Sequence, residues 1–429
     1  PEVLVDLYRQ FQEGKVRFMM AFRHPSTNDP LCMNYLLSNY LGKVAKQKGV
    51  KLQHPIHAHF IYDRGIPLWA GKGVGWYYSQ MGCTPIRRGG IDLVGLRSIR
   101  QLFASGQFPM AAAPEGATNG HNEIMSPIEP GIAQFGFWCM EDLLKAGRSQ
   151  QVMILPIGLQ YHYLSTPWKA IANLLTQLEA DSGLPPCCEA DLKAETAKEG
   201  ATSLSDPQQM ILYKRLLRLG EHLLPMVEKF YAKFYHQNLT ISSGQSEPPQ
   251  PILLATNQNL VDRLQVLMNA ALNVAEQHFA IAPKGTITDR CRRLEQAGWD
   301  WIYRDDLENV ENLSPVEKGL ADRIAEEASL RLWHMRLVES FVSVTGRYVI
   351  EKPTGDRFAE ILLIFWDMVT RIKGEVPFPR PQLGVQGVKI TIGQPLSVSD
   401  RWEAYHASRR QAVAGLTQDL QTALEEMIF

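Results

Sequence analysis

One short run near the end of the chain constrains its fold more than any other feature. Val388, Ile390 and Ile392 alternate with Lys389 and Thr391, the two-residue period of a half-buried strand, and Gly393-Gln394-Pro395 supplies a turn behind them. A single strand leaves its backbone donors and acceptors unpaired. Its partners therefore have to come from far away in the sequence. The first third of the chain offers them. Val16 to Phe22 reads as a mostly buried strand, and the stretch from Pro30, with Leu31, Met33, Leu36, Leu37, Tyr40 and Leu41, as the helix behind it. Met110 to Ala113 reads as a second buried run, ended by Pro114, and Val152 to Leu155 as a third, ended by Pro156. Strands alternating with helices specify an α/β fold, a mostly parallel sheet flanked by helices.

The middle of the chain has another character. From about Ser165 to Pro381 it is dominated by helical patterning, with breaks of turn residues at 181–186 and 242–249. The clearest seam is Leu212, Leu216, Leu219, Leu223, Val227, Phe230 and Phe234. Pro225 inside it is expected to bend the helix, at a cost of roughly 3 kcal/mol unless a kink is built in. The expected organisation is a core made of 1–165 and 386–429, interrupted by a large helical insertion at 166–385. The terminal strand joins the N-terminal sheet, and Trp402 to Met427 follows as one amphipathic helix. The sequence shows no internal repeat.

Composition narrows the function classes. The 44 Lys and Arg balance 45 Asp and Glu, a net charge of -1, so no overall basic field argues for nucleic acid. The six cysteines include no C-x2-C pair, which suits a reduced, cytoplasmic protein. Pro1 to Gln12 mixes charges with Val3, Leu4 and Leu7 at helical spacing and reads as an amphipathic helix, not a signal peptide. The most apolar run, Ala359 to Thr370, carries Glu360 and Asp367 and falls short of the roughly 20 residues that span a bilayer. The chain is expected to be soluble or peripheral.

The sharpest local feature is Arg23-His24-Pro25-Ser26-Thr27-Asn28-Asp29-Pro30, directly after the first strand. At a strand-to-helix junction the helix start can bring Asp29 back onto one imidazole nitrogen, fixing the tautomer and leaving the other nitrogen as a general base. Alternatively His24 is a turn residue and Asp29 caps the next helix. His57-Ala58-His59 puts two imidazoles at strand spacing, but Phe60-Ile61-Tyr62-Asp63 follows where a metallo-hydrolase pattern needs Asp and His. A strand face with packed or exposed imidazoles, and no metal site, is the expectation. Gly71-Lys72-Gly73-Val74-Gly75 lacks the Gly-Lys-Ser/Thr ending of a phosphate loop and reads as a turn before a helix. The Lys and Arg beside the 213–235 seam fit a core helix with a solvated rim better than a membrane-surface helix.

Four blocks in order carry a resemblance: His24 and Asp29; Gly82-Cys83-Thr84-Pro85-Ile86-Arg87-Arg88; Pro114-Glu115-Gly116; and Val152 to Ile157. Together the chain resembles the glycerolipid acyltransferase family, which includes glycerol-3-phosphate and 1-acylglycerol-3-phosphate acyltransferases. Gly393 to Leu396 is similar to a Gly-x-Pro-Leu strand end seen after the family's fourth block. The resemblance covers about 1–165 and 386–429. In the third block Ala113 replaces the family's Phe, and Ala117, Thr118 and Asn119 replace its Thr-Arg-Ser. The absent Arg puts the acceptor in doubt more than the reaction.

The resemblance implies an O-acyltransferase of phospholipid biosynthesis. It would move a fatty acyl group from a coenzyme A or acyl-carrier-protein thioester to a hydroxyl of glycerol phosphate or a lysophospholipid. His24 is then the base and Asp29 its orienter, with Glu115 and Gly116 positioning the acceptor. Arg88, helped by Arg87, anchors its phosphate. No cofactor beyond the acyl thioester is implied, and the expected location is cytoplasmic, with peripheral contact to the inner face of a membrane. From the residues alone, a solvated loop pair is the lesser reading of Arg87-Arg88, whereas Pro-Glu-Gly reads equally as a plain turn. Two other functions stay open: an acyltransferase with a non-phosphorylated alcohol or amine acceptor, and a catalytically silent lipid-binding scaffold whose His24 and Asp29 stand too far apart to bond.

Overall fold

Seven consecutive buried residues, Val16–Phe22, form β1, the strand around which the sheet is built. In the computed structural model, which describes residues 1–67, 71–87, 92–116, 118, 120–185, 206–239, 252–304, 310–339, 341 and 347–428, six further strands share this sheet. They are β2 (His59–Asp63), β3 (Thr84–Ile86), β4 (Met110–Ala112), β5 (Gln151–Tyr163), β6 (Gln386–Ile392) and β7 (Leu396–Ser397). The order is β3-β2-β4-β1-β5-β6, with β7 also on β5. The pairs β1/β4, β1/β5, β2/β4 and β2/β3 are parallel, and β7 runs antiparallel to β5. The sheet is open, mixed and mostly parallel.

A continuous apolar run suits a central parallel strand because helices cover both of its faces. Phe18, Met20 and Phe22 pack into one core with Leu4, Tyr8, Met33 and Leu37 from helices Glu2–Gln12 and Asp29–Tyr35 and the π-turn Leu36–Leu41. Met19 and Ala21 face the opposite core, built with Ile99, Phe103, Phe137, Leu416 and Leu420. Those residues come from helices Leu93–Ser105, Gly131–Lys145 and Arg409–Glu425, the first two of which the sequence reading did not place. Arg17 is the polar exception in β1. Its guanidinium donates to the carbonyls of Leu102, Phe103 and Gly106 at 2.7 to 3.0 Å, satisfying the end of helix Leu93–Ser105. Burial pulls its pKa down to about 10.

Several local expectations change. Pro156 does not end its strand; it sits opposite Ala21 in the middle of β5, and its carbonyl accepts from Gly393 N–H at 3.0 Å. The missing N–H is thus carried within a strand whose neighbouring residues keep the ladder. A Cβ on Gly393 would stand 2.1 Å from Met427 Cε and 3.2 Å from the Pro156 carbonyl oxygen, so a side chain here would have to push the flexible end of Met427 aside. The last helix is two helices, Trp402–Ala407 and Arg409–Glu425, because Ser408 is extended at φ -155°, ψ 98°. β6 lies beside β5 at the sheet's edge, with Val388 39% exposed.

Contacts divide the chain into two units: Pro1–His162 with Gly387–Phe429, and Tyr163–Gln386. The second is helical, with Trp168–Asp181, Pro207–Tyr235, Ile252–His278, Ile287–Ile302, Pro315–Glu339 and Gly355–Ile372 as its long elements. Helix Pro207–Tyr235 continues through Pro225, and its seam is buried from Leu212 to Val227, whereas Phe234 is 63% exposed. Helix Ile287–Ile302 opens with a capping box between Thr286 and Asp289. Among the described residues no helix is long and apolar enough to cross a membrane.

Candidate active site

β1 ends at Phe22, and the two residues after it face different surroundings. Arg23 is fully buried; its guanidinium donates to the carbonyls of Asn122 at 2.5 Å and Ile124 at 2.9 Å, and its Nε lies 3.7 Å from Glu115 Oε1. His24 keeps 20% of its side-chain surface exposed, and its ring meets Phe22 edge-on at 6.2 Å. These positions lie beyond the carboxyl ends of parallel strands, where open α/β sheets hold their ligands.

β4 pairs with β1 through Met110 and Met19, so the segment leaving β4 passes beside His24. Glu115 on that segment is buried. Its Oε1 accepts the backbone N–H of His24 at 2.8 Å, and its Oε2 accepts that of Ser126 at 3.2 Å. Gly116 follows at φ +74°, a left-handed conformation that favours glycine. The Pro-Glu-Gly turn is therefore more than a connection, since its carboxylate fixes the main chain of the candidate base.

Asp29 gathers three donors and has no exposed surface. His24 Nδ1 stands 2.9 Å from Oδ2, the Ser26 backbone N–H donates to the same oxygen at 2.9 Å, and the Tyr161 hydroxyl donates to Oδ1 at 2.5 Å. The N-cap of helix Asp29–Tyr35 is Asn28, without a side-chain cap bond, so Asp29 is not acting as the cap. Burial, and then the Asp29 carboxylate, push the Tyr161 pKa well up, so the phenol keeps its proton and serves as a donor. Cys32 Sγ lies 3.4 Å from the same hydroxyl. With Asp29 accepting from Nδ1–H, the Nε2 lone pair of His24 is left to take a proton.

The other sequence candidates fall elsewhere or serve as scaffold. The Arg87 backbone N–H donates to Asp92 Oδ2 at 2.9 Å, and Asp92 Oδ1 caps helix Leu93–Ser105 by accepting from Gly95 N–H. Arg88 lies outside the described residues, as do Ala117, Asn119, Cys187, Cys188 and the 242–249 break. His57 and His59 each bond a backbone carbonyl, those of Met81 at 2.7 Å and Gly82 at 2.8 Å. Among the described residues no group of three His, Cys, Asp or Glu is placed to hold a metal ion. Helix Lys72–Gln80 starts after Gly71 at φ +97°. Burial pushes the Cys83 thiol up to about 11, away from a reactive thiolate.

Sequence reasoning missed Tyr161, Arg23 and the bond from Glu115 to His24. Tyr161 stands 132 positions from Asp29, so no local spacing links them. Arg23 is adjacent to His24 and carried one available signal, a cation directly after an apolar strand. No protein-family model, no curated protein and no solved structure matches this chain.

Proposed function

We propose that the chain is a thioester-dependent O-acyltransferase that moves a fatty acyl group from coenzyme A or acyl carrier protein to a hydroxyl of glycerol phosphate or a lysophospholipid. The observation that carries this reading is the 2.9 Å bond between His24 Nδ1 and Asp29 Oδ2, in a side chain that stays 20% exposed. An alcohol is a weak nucleophile at neutral pH, and a positioned imidazole removes that obstacle. His24 Nε2 takes the hydroxyl proton as the oxygen adds to the thioester carbonyl. The C–S bond then breaks, and the departing sulfur receives the proton from His24. No acyl-enzyme is required.

Asp29 and Tyr161 act behind the ring, holding its tautomer and plane. Leu31 and Tyr35, on the helix that begins at Asp29, are 66% and 62% exposed and give an amphiphilic substrate or a membrane surface something apolar to meet. This supports a peripheral position on a membrane surface. The reading assigns the acceptor phosphate to Arg88 and Arg87.

A second acceptor class is favoured by one observation: Ala117-Thr118-Asn119 stands where the family that the chain resembles carries an Arg expected to help hold an acceptor phosphate. A non-phosphorylated alcohol or amine needs no such residue. The bonded His24–Asp29 pair speaks against a silent scaffold, which requires the two apart. The test is mass spectrometry of products after incubating the purified protein with mixed acyl thioesters and paired acceptors, with and without phosphate. An acylated phosphate-bearing product supports the first reading, acylation of the uncharged acceptor alone supports the second, and no product from any pair rejects both.

A further inference from the structure

β1 stops at Phe22, opposite Ile157, and Arg23 N–H then donates to the Ile157 carbonyl at 2.9 Å. β5 runs on to Tyr163. Past the end of β1, a buried N–H on that side of β5 has to find another acceptor. At Tyr161 the acceptor is the side chain of Asn122, whose Oδ1 takes the backbone N–H at 2.7 Å. A backbone N–H only donates, so the amide atom that faces it is the oxygen. Asn122 is buried and belongs to the segment between β4 and helix Gly131–Lys145.

The same residue meets the other half of the site. Its backbone carbonyl accepts from Arg23 Nη1 at 2.5 Å, and Arg23 directly precedes His24. These contacts close a circuit. It runs from Asn122 to Tyr161, from the Tyr161 hydroxyl to Asp29 Oδ1 at 2.5 Å, from Asp29 Oδ2 to His24 Nδ1 at 2.9 Å, and back along the chain to Arg23. Hydrogen bonds weaken steeply as their angles close, so a shift of the Tyr161 main chain spoils the bond that its hydroxyl makes. A misplacement of ~1 Å in a supporting group can cost a site ~10²-fold in rate.

We propose that Asn122 is a positioning residue of this site: its side chain sets the place of Tyr161 and, through Tyr161 and Asp29, the plane of the His24 imidazole. This role rests on the reading of His24 as the base of acyl transfer. Only the side-chain oxygen carries it. The carbonyl that meets Arg23 belongs to the backbone and stays in every variant.

The test replaces Asn122 in the full chain labelled with nitrogen-15 histidine and follows the Nδ1 proton of His24 by NMR, assigned by its absence from His24→Ala. Asn122→Leu removes the acceptor at similar volume and should shift or broaden that signal. Asn122→Asp keeps an oxygen toward Tyr161 N–H and should return the signal to its native position. For transfer from palmitoyl-coenzyme A to lysophosphatidic acid, Asn122→Leu should lower kcat about three- to ten-fold, with KM changed less than about two-fold. On a Tyr161→Phe background the same replacement should cost nothing further, because both changes break one route. Cooperative thermal unfolding verifies each variant, and Asn122→Ala is read where Asn122→Leu does not fold. An unmoved His24 signal in the folded variant, a signal that Asn122→Asp does not restore, or losses in kcat that multiply with Tyr161→Phe would each overturn the proposal. No transfer by the unaltered chain, with the His24 signal still responding to Asn122→Leu, would reject the reaction and leave the positioning role standing.

Discussion

The Tyr161 hydroxyl donates to Asp29 Oδ1 at 2.5 Å, and Asp29 through its other oxygen holds His24 Nδ1 at 2.9 Å. A strand-borne phenol thus fixes the carboxylate that fixes the imidazole. Tyr161→Phe removes one of three donors to Asp29 without disturbing the other two. It should lower kcat by about ten-fold with little change in KM, a smaller loss than removal of the base itself. Net stability should fall by about 1 kcal/mol, since one buried hydrogen bond is lost. Steady-state kinetics beside denaturant unfolding checks both. Unchanged kcat would make the phenol purely structural.

Arg23 and Glu115 are both fully buried side chains, with 3.7 Å between Arg23 Nε and Glu115 Oε1. Arg23→Ala takes a buried cation from beside the Glu115 carboxylate and one donor from each of the carbonyls of Asn122 and Ile124. The expected loss is about 3–5 kcal/mol. Replacing both residues should cost less than the sum of the single replacements, because the double variant removes both charges together. Denaturant unfolding of the two singles and the double measures the coupling; strict additivity would show that the two do not interact.

The α/β class and the mostly parallel, helix-flanked sheet were legible because buried parallel strands are short continuous apolar runs, as in Val16–Phe22 and Met110–Ala112. The strand at Gln386–Ile392 was legible for another reason, its period-2 alternation and its want of a neighbour. The proline at 156 misled, since a strand-breaking residue is tolerated where flanking residues maintain the ladder. Ser408 misled in the opposite sense: nothing in its sequence surroundings signals an extended residue between two helices. In the site, the His24–Asp29 bond spans five positions and could be read from local geometry, whereas Tyr161 and Glu115 arrive through strand order and could not.

His334 gives the helical unit a pH response. Burial, and next the charge of Arg331, lowers its pKa from 6.5 to about 4, and its Nδ1 is bonded to the Tyr231 hydroxyl. Between these values the unfolded chain binds more protons than the folded one, so stability rises with pH through that window. The contribution is complete above about pH 6.5 and is lost as pH falls through about 4. Its size is on the order of 3 kcal/mol. Thermal unfolding at pH 7 and pH 4.5 should show a larger drop for the native chain than for His334→Gln. Equal slopes would contradict a buried neutral imidazole.

The central claim is that His24 Nε2 takes the acceptor's proton, and the direct measurement is the rate of acyl transfer by His24→Ala beside the unaltered chain, with folding of both verified by their unfolding midpoints. The account predicts a rate lower by about 10²- to 10⁴-fold, with stability lower by only about 1 kcal/mol for the lost bond to Asp29. Undiminished transfer by the folded variant would contradict it.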